Sequence, residues 1–162
     1  MYSIAFLWVG KDTIIPSRLV ESIRLIMGSS VEVVQLTDKK TAKVIGVTRV
    51  QRLDLSPYIM VARLQAYSKY KVSTNATFFC DADSLFIKPL ELNFIDSNIL
   101  LLKRNVDRII NDQYPEFYPE YAGKRLGEVM PFLFGAIATR GDQSNFYSSL
   151  LKVCLGLPLM FH

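Results

Sequence analysis

The sequence predicts an α/β domain in which helices flank a mostly parallel central sheet. Short apolar runs of strand length alternate with segments in which apolar residues recur at helical spacing. Residues 2–9 and 31–36 are two such runs, and a helical pattern lies between them. A strand, a helix and a strand within about forty residues are typical of a right-handed βαβ unit, so the two strands are expected to be parallel neighbours.

The composition indicates one domain without a membrane span. The chain has 162 residues and half of them are hydrophobic, which is enough for one core. No apolar run reaches the roughly 18–20 residues of a membrane-spanning helix. The N-terminal apolar run continues into charged residues, which indicates a first strand and not a signal peptide. The two cysteines lie in apolar segments without zinc-site spacing, so we expect reduced thiols and a cytoplasmic location.

The charge favours an anionic ligand. The net charge is +4 and the sequence pI is about 9.1, which suits a sugar nucleotide or an anionic surface. The basic residues form no block with interleaved aromatic residues, so nucleic acid is not expected as a partner. The sequence has neither the glycine motif of dinucleotide-binding folds nor a P-loop, which argues against an NAD or ATPase site.

The segment after the first strand predicts two helices and an edge strand. Pro16 suits the first turn of a helix, and Gly28 suits its end. Residues 47–53 alternate apolar and polar side chains, which predicts a short edge strand. Pro57 follows a serine, and this pair is typical of a helix start, so a helix is expected from Pro57 to about Lys71. Its apolar stripe would consist of Met60, Leu64 and Tyr67.

The second half of the chain predicts further strands and a final helix. One strand is expected over residues 75–80, and it would continue through 85–87 beyond two aspartates. Two more are expected over 98–102 and 130–139. The last helix is expected over 143–155, with Phe146, Leu150 and Val153 on one face.

Asp81 and Asp83 predict a metal site. In an extended segment, residues two apart point to the same side, so the two carboxylates would face one another with Ala82 between them. Like charges repel there, and a divalent cation would remove the conflict. Hard oxygen ligands suit Mg²⁺ or Mn²⁺, which keeps positions open for substrate phosphates.

Other candidate site residues lie where strands end. Ligands of parallel sheets bind beyond the carboxyl ends of the strands, which places Trp8, Val9 and Lys11 at the ligand edge. Lys103 and Arg104 end another predicted strand, where they either face phosphate or are ordinary surface charges.

An aromatic segment follows. Prolines inside it exclude a long helix. Its side chains would stack on an acceptor sugar, contact a partner, or pack over the domain. They are Tyr114, Phe117, Tyr118 and Tyr121.

Three stretches together resemble the nucleotide-sugar glycosyltransferases with the GT-A fold, in particular the glycogenin and lipopolysaccharide-galactosyltransferase type. A helix over residues 63–70, beginning Arg-Leu-Gln-Ala-Tyr, precedes the motif. Asp81-Ala82-Asp83 is similar to the Asp-x-Asp motif of that family, and Pro89-Leu90 follows it. The strand Phe132–Gly135 is the third element of the resemblance.

The resemblance implies a Rossmann-like GT-A fold and a metal-dependent hexosyltransferase. The donor would be a nucleotide-diphosphate sugar, with a UDP-sugar expected, and the acceptor a glycan, lipid or protein. Asp81 and Asp83 would hold Mn²⁺ or Mg²⁺ against the donor diphosphate. The donor-binding residues would be Trp8, Val9, Lys11, Arg63, Ala82 and Gly135.

The sequence also departs from the family pattern. Leu133-Phe134-Gly135 stands where the family usually has Asn-Ser-Gly, and the asparagine there helps to hold the donor sugar. A late histidine motif that supplies a metal ligand has no counterpart, because His162 is terminal. We therefore expect one GT-A-like domain over 1–162 that is short at its C-terminus, with a nucleotide-binding half over 1–104 and a partial acceptor half over 105–162. A homo-oligomer would cover the apolar edge left there.

Two alternatives use the same residues. A degenerate domain would bind a sugar nucleotide or a partner without catalysing transfer. A phosphatase of the haloacid-dehalogenase type would use Asp81 as nucleophile and Asp83 as acid and base. That motif normally follows the first strand, whereas more of the chain precedes it here.

Overall fold

The computed structural model describes residues 2–103, 121–129 and 131–156. These residues form six strands and four helices. In chain order the elements are β1 (Tyr2–Leu7), α1 (Ile14–Met27), β2 (Glu32–Thr37), β3 (Arg49–Arg52), α2 (Ile59–Ser68), β4 (Ala76–Cys80), β5 (Ile99–Lys103), α3 (Leu126–Val129), β6 (Phe132–Arg140) and α4 (Ser144–Gly156).

All six strands form one mostly parallel sheet. Their order is β3-β2-β1-β4-β6-β5. β1 pairs in parallel with β2 and β4, and β2 pairs in parallel with β3. β6 runs antiparallel to both of its neighbours, β4 and β5, so β5 has the same direction as β4. The predicted mostly parallel sheet with flanking helices is therefore confirmed.

The helices cover opposite faces of this sheet. The crossover from β1 to β2 carries α1, and the crossover from β3 back to β4 carries α2 in the other direction along the sheet. Right-handed crossovers in opposite directions place their helices on opposite faces. Leu19 and Ile23 of α1 pack with Phe6 in one buried cluster. Leu64 of α2 packs with Phe79 in the other, which α4 joins.

The carboxyl ends of β1 to β4 meet at one edge of the sheet, which we call the carboxyl edge. The chain leaves it through residues 8–13, 38–48, 53–58 and 81–98. These loops are the part of the fold that can hold a ligand, because the helices and strands cover both faces. Among the described residues, none of the helices has the length and apolar character that a membrane span requires.

Two helices differ from the sequence-based expectation. α2 begins at Ile59, where Tyr58 is the N-cap, and not at Pro57. Met60 is 46% exposed, so it does not belong to the buried stripe of α2. The other two predicted residues, Leu64 and Tyr67, are buried. In α4, Val153 is 63% exposed because the face toward the sheet carries Tyr147 and its neighbours.

Candidate functional site

Asp81 and Asp83 lie at the carboxyl edge, but in a turn. β4 ends at Cys80, and the Ser84 amide donates a hydrogen bond of 3.1 Å to the Asp81 carbonyl. The prediction of an extended segment that continues through residues 85–87 is therefore wrong. A turn closed between residues three apart reverses the chain, so the two side chains do not alternate as they would in a strand. Asp81 is half-buried and Asp83 is exposed.

The Asp81 carboxylate packs closely against Gly135. The Asp81 amide donates a hydrogen bond of 3.0 Å to the Gly135 carbonyl. A Cβ atom at position 135 would lie 1.9 Å from Oδ2 and 2.7 Å from Cγ of Asp81. A side chain of any kind would displace the carboxylate, so glycine is needed here for close approach and not for an unusual backbone angle.

β6 is irregular where it passes the site. Leu101 of β5 pairs with Ile137, whereas the next residue, Leu102, pairs with Leu133. Residues 134–136 therefore lie in a bulge of β6 on its β5 side. Bulges bend a strand and change the direction in which nearby groups point, and they occur often beside functional sites. Here the bulge brings Gly135 against Asp81.

Arg63 forms an ion pair with Asp81. One of its terminal nitrogens lies 2.5 Å from Asp81 Oδ1, and the side chains of Arg63 and Asp81 are 18% and 36% exposed. Arg63 stands on α2, which packs on the same sheet face as Phe79. The Asp81 carboxylate is thus fixed at both oxygens, with Oδ1 on a guanidinium and Oδ2 against Gly135.

A cluster of aromatic rings lies beside this ion pair. The Tyr67 ring lies 4.3 Å from the Phe79 ring, 6.3 Å from the Phe134 ring and 5.3 Å from the Tyr147 ring, measured between centroids. Burial raises the pKa of the Tyr67 and Tyr147 hydroxyls well above the usual value. Burial, together with the negative charges of Asp81 and Asp83, also raises the pKa of the Cys80 thiol.

The end of β1 lies beside the end of β4. Phe6 pairs with Cys80, so the residues that follow each strand are neighbours at the carboxyl edge. The Trp8 amide donates to the Leu36 carbonyl at 3.0 Å, and the Thr37 hydroxyl donates to the Trp8 carbonyl at 2.6 Å. These bonds fix the segment that carries the three predicted residues. Trp8 is partly buried, while Val9 and Lys11 are exposed.

The motif also contacts the β1 side of the sheet. Ala82 and Trp8 both pack on the buried cluster formed by α1 and its face of the sheet. The structure therefore brings together the β1 end and the Asp-x-Asp turn, whose roles toward a donor stay predictions. Arg63 and Gly135 join the same group through Asp81.

The remaining predicted site residues are more distant or not described. Lys103 is exposed at the end of β5, and β6 lies between that strand and β4. Tyr121 precedes α3, and the Lys124 ammonium lies 5.5 Å from its ring centroid. Their roles toward phosphate and acceptor stay predictions. Arg104, Tyr114, Phe117 and Tyr118 lie outside the described residues.

The carboxylates of Asp81 and Asp83 are the metal ligands that the sequence predicts. Within residues 2–103, 121–129 and 131–156, no group of three or more His, Cys, Asp or Glu side chains could hold a metal ion. Asp83 makes no hydrogen bond or ion pair inside these ranges, so its carboxylate is available. Mg²⁺ and Mn²⁺ accept one or two carboxylates when phosphate oxygens and water complete the shell. The metal-ligand roles of Asp81 and Asp83 stay predictions.

The sequence-based reading missed the hydroxyl groups of Tyr67 and Tyr147. Both are buried, and neither has a hydrogen-bond partner in the described part of the chain. The apolar pattern of the sequence predicts only that Tyr67 belongs to the buried stripe of α2. The available signal was its spacing, because residues four apart on a helix are neighbours and Arg63 lies four residues before it.

Solved structures of two glycosyltransferases are similar to this chain. The apo-form glycosyltransferase GlyE of Streptococcus pneumoniae TIGR4 superposes with a TM-score of 0.60 at 10% identity, over 96% of this chain and 39% of that chain. The galactosyltransferase LgtC, in complex with donor and acceptor sugar analogs, superposes with a TM-score of 0.54 at 13% identity, over 93% of this chain and 65% of that chain. The sequence matches no family model and no curated protein.

These similarities establish the fold. The chain has the GT-A fold of the two glycosyltransferases, which confirms the fold that the sequence resemblance implied. It spans less than two thirds of the length of either neighbour, 39% of GlyE and 65% of LgtC. At 10% and 13% identity the fold is shared, whereas donor and acceptor must be argued from the residues of this chain.

Proposed function

We propose that this chain binds a nucleotide-diphosphate sugar, with a UDP-sugar as the expected donor, and acts in metal-dependent glycosyl transfer. The observation that carries the proposal is the arrangement of Asp81. Its carboxylate is fixed between Arg63 and Gly135 at the carboxyl edge, and the exposed Asp83 follows two residues later. A glycosyltransferase fold with this constellation at its ligand edge supports donor binding more than any other function.

Asp83 and Asp81 would hold Mn²⁺ or Mg²⁺. The exposed Asp83 would be the principal ligand, because one oxygen of Asp81 is already bonded to Arg63 and the other is packed against Gly135. When bound, the cation would neutralise negative charge on the diphosphate leaving group. The turn at Asp81–Ser84 holds the backbone that carries both carboxylates.

Arg63 would contact the donor diphosphate, and the β1 end would hold the nucleotide base. The Arg63 guanidinium carries a fixed positive charge at the edge of the site and has N–H groups beyond the one bonded to Asp81, which suits a phosphate oxygen. Trp8 and Val9 would lie against the nucleotide base, on a segment that hydrogen bonds to β2 hold in place. Ala82 leaves room for the donor between the two carboxylates. Lys11, Lys103 and Arg104 would add positive charge.

The acceptor would bind on the side of the chain that follows β5. Tyr114, Phe117, Tyr118 and Tyr121 supply aromatic rings in that part of the sequence, and aromatic faces stack on sugars. A glycan, a lipid-linked sugar and a protein side chain are the classes of acceptor that this proposal admits. A cytoplasmic location and a homo-oligomer belong to the same proposal.

Binding without transfer is the second candidate function, and Leu133 favours it. This residue is apolar and partly buried, and it pairs with Leu102. It gives a donor sugar no hydrogen bond from its side chain. A turnover assay with a UDP-sugar would separate the two candidates, because a binding domain would retain metal-dependent affinity for UDP and release no product. The phosphatase alternative loses support, since the fold is that of glycosyltransferases and the motif follows β4.

Calorimetric titration of the chain with UDP, with and without Mn²⁺, tests the proposal. We expect binding that depends on Mn²⁺, and Asp83→Asn is expected to weaken it by at least about tenfold. Asp96→Asn is the matched control, because it removes an exposed carboxylate outside the motif and should leave binding unchanged. A folded sample that binds none of UDP, GDP and CDP would contradict the proposal, as would affinity that is the same with and without the metal.

A further inference from the structure

Three buried polar groups below the Asp81 site lack a hydrogen-bond partner in the described part of the chain. They are Nε of Arg63 and the hydroxyls of Tyr67 and Tyr147. Tyr67 is 2% exposed and Tyr147 is 1% exposed. A buried hydroxyl without a partner is costly, and phenylalanine fills nearly the same space without that cost. The presence of tyrosine at both positions therefore requires a physical reason.

The three groups belong to one small region. Arg63 and Tyr67 are four residues apart on α2, so their side chains lie one above the other on the same helix face. Tyr147 comes from α4, and its ring meets the Tyr67 ring edge to face with centroids 5.3 Å apart. Both rings also contact Phe79, at centroid distances of 4.3 Å and 5.4 Å. The two rings therefore pack together between α2, α4 and β4.

The electrostatic surroundings give the same location. Burial is the main reason why the pKa of Tyr67 is raised, and the positive charge of Arg63 opposes that rise while Cys80 and Asp81 add to it. The pKa of Tyr147 is raised by burial and then by Tyr67. Burial is thus the main effect on both pKa values, with smaller effects of Arg63 and Asp81 on Tyr67 and of Tyr67 on Tyr147.

We propose that Tyr67 and Tyr147 are positioning residues, which hold Nε of Arg63 through an internal water and so fix the guanidinium that faces Asp81. A buried water typically makes about three hydrogen bonds to otherwise unsatisfied groups. Arg63 Nε and the two hydroxyls are three such groups. The assignment of a donor contact to Arg63 rests on the proposed function, whereas the link from Arg63 to the tyrosines does not.

This link determines what Arg63 can do at the site. A long side chain loses much of its affinity for a ligand to the entropy of ordering. With Nε held from below and one terminal nitrogen bonded to Asp81 at 2.5 Å, the guanidinium plane is fixed before a ligand binds. The remaining N–H groups then point in a defined direction, toward the diphosphate under the proposed function.

Two phenylalanine variants and a control test this inference. Tyr67→Phe and Tyr147→Phe each delete one hydroxyl, and urea unfolding measures the effect on stability. Tyr70→Phe is the matched control, because its ring also packs on Phe79 while its hydroxyl accepts a hydrogen bond from Arg49, away from the site. We expect all three variants to be less stable than the parent chain. Higher or unchanged stability of Tyr67→Phe would show an unpaired hydroxyl and would overturn the inference.

Coupling to Arg63 separates positioning from ordinary packing. In an Arg63→Gln background, Tyr67→Phe should cost less stability than in the parent chain, because the group that the hydroxyl holds is gone. An equal cost in both backgrounds would overturn the inference. This cycle needs no ligand, so it remains decisive if the parent chain fails to bind UDP and the proposed function falls.

Titration with UDP and Mn²⁺ tests the consequence for binding. Tyr67→Phe should weaken UDP binding by about three- to tenfold, the equivalent of one hydrogen bond. Tyr70→Phe should leave it unchanged, and Tyr67→Phe should have no effect on it in the Arg63→Gln background. Stability coupling to Arg63 together with unchanged UDP affinity would overturn the positioning role.

Discussion

Replacing Gly135 by alanine is the most direct perturbation of the site. The added Cβ atom would lie 1.9 Å from Asp81 Oδ2, so the oxygen must retreat by about 1.5 Å to reach an ordinary contact of 3.4 Å. A shift of that size is incompatible with the 2.5 Å contact between Oδ1 and Arg63, because a shift away from Arg63 breaks the hydrogen bond and a shift toward it produces a clash. One added methyl group therefore disrupts the contact between Asp81 and Arg63.

The effect on stability can be estimated from the parts. A partly exposed ion pair is worth about 0.2–1 kcal/mol, and an extra methyl group in a packed position costs roughly 1–3 kcal/mol. Alanine is less flexible than glycine when unfolded, which returns about 0.5–1 kcal/mol. We expect a net loss of about 1–3 kcal/mol. Metal-dependent UDP binding should weaken by at least about tenfold, because the carboxylate leaves its position.

Urea unfolding of four chains measures this effect. They are the parent, Gly135→Ala, Asp81→Ala and the double variant. In the Asp81→Ala background the clashing oxygen is absent, so Gly135→Ala should cost little or nothing there. Gly156→Ala is the control, since a Cβ atom at that position meets no other atom within 4 Å. It should leave stability unchanged or raise it by up to about 1 kcal/mol.

The comparison of backgrounds decides the matter. If Gly135→Ala costs the same free energy with and without the Asp81 carboxylate, the clash does not involve that group. Full stability and full UDP affinity in Gly135→Ala would likewise refute the arrangement of Asp81 between Arg63 and Gly135.

Two further predictions concern the titratable groups of Glu32 and Cys80. Burial alone would raise the pKa of Glu32, but hydrogen bonds from Ser73, Arg49 and Ser3 outweigh it and hold the pKa below its ordinary value of 4.5. The ionised Glu32 thus adds stability above that value which is lost as the pH falls through the lower folded pKa. The stability gap between the parent and Glu32→Gln, measured by urea unfolding, should therefore shrink below pH 4.5, and a constant gap would argue against the network. Because burial raises its pKa, Cys80 should react with iodoacetamide much more slowly than the less buried Cys154 in the folded chain, as followed by peptide mass spectrometry. Equal rates in the folded chain would contradict the burial, whereas equal rates in urea are expected.

Much of the fold could be predicted because buried parallel strands appear in the sequence as mostly apolar runs. β1 and β2 are buried on both faces over most of their length, so their mostly apolar residues identify them without a periodic pattern. Gly28 marked the end of α1 correctly, because the chain there needs a positive φ of 62°. Local chemistry is sufficient for elements of this kind.

The turn at Asp81 could not be predicted, because its cause is remote in sequence. The apolar residues on either side of the motif are typical of a strand, and nothing local opposes that reading. The turn forms where β6 supplies a carbonyl to the Asp81 amide and a bare Cα beneath its carboxylate. The family resemblance predicts Gly135 as a donor contact. The structure shows that Gly135 packs against Asp81. A glycine inside an apolar strand is the signal that such close approach leaves.

The partnership of the tyrosines with Arg63 shows a second limit of local patterns. Periodicity assigns Tyr67 to the buried face of α2, and that is where the ring lies. Periodicity says nothing of the hydroxyl at the end of the ring. Its surroundings depend on α4, which packs beside α2 through Tyr147. Polar atoms on buried aromatic residues therefore have to be traced in three dimensions.

The antiparallel strand β6 has a consequence for the order of assembly during synthesis. β5 leaves the ribosome before β6, yet within the described residues β5 is connected to the sheet through β6 alone. β1 to β4 can therefore pair as a nascent parallel sheet while β5 waits for a later strand. When β6 arrives, it docks β5 and places Gly135 beneath Asp81 in the same event. The site at the carboxyl edge is thus completed by the step that closes the sheet. A chain that has not finished folding does not yet have this site.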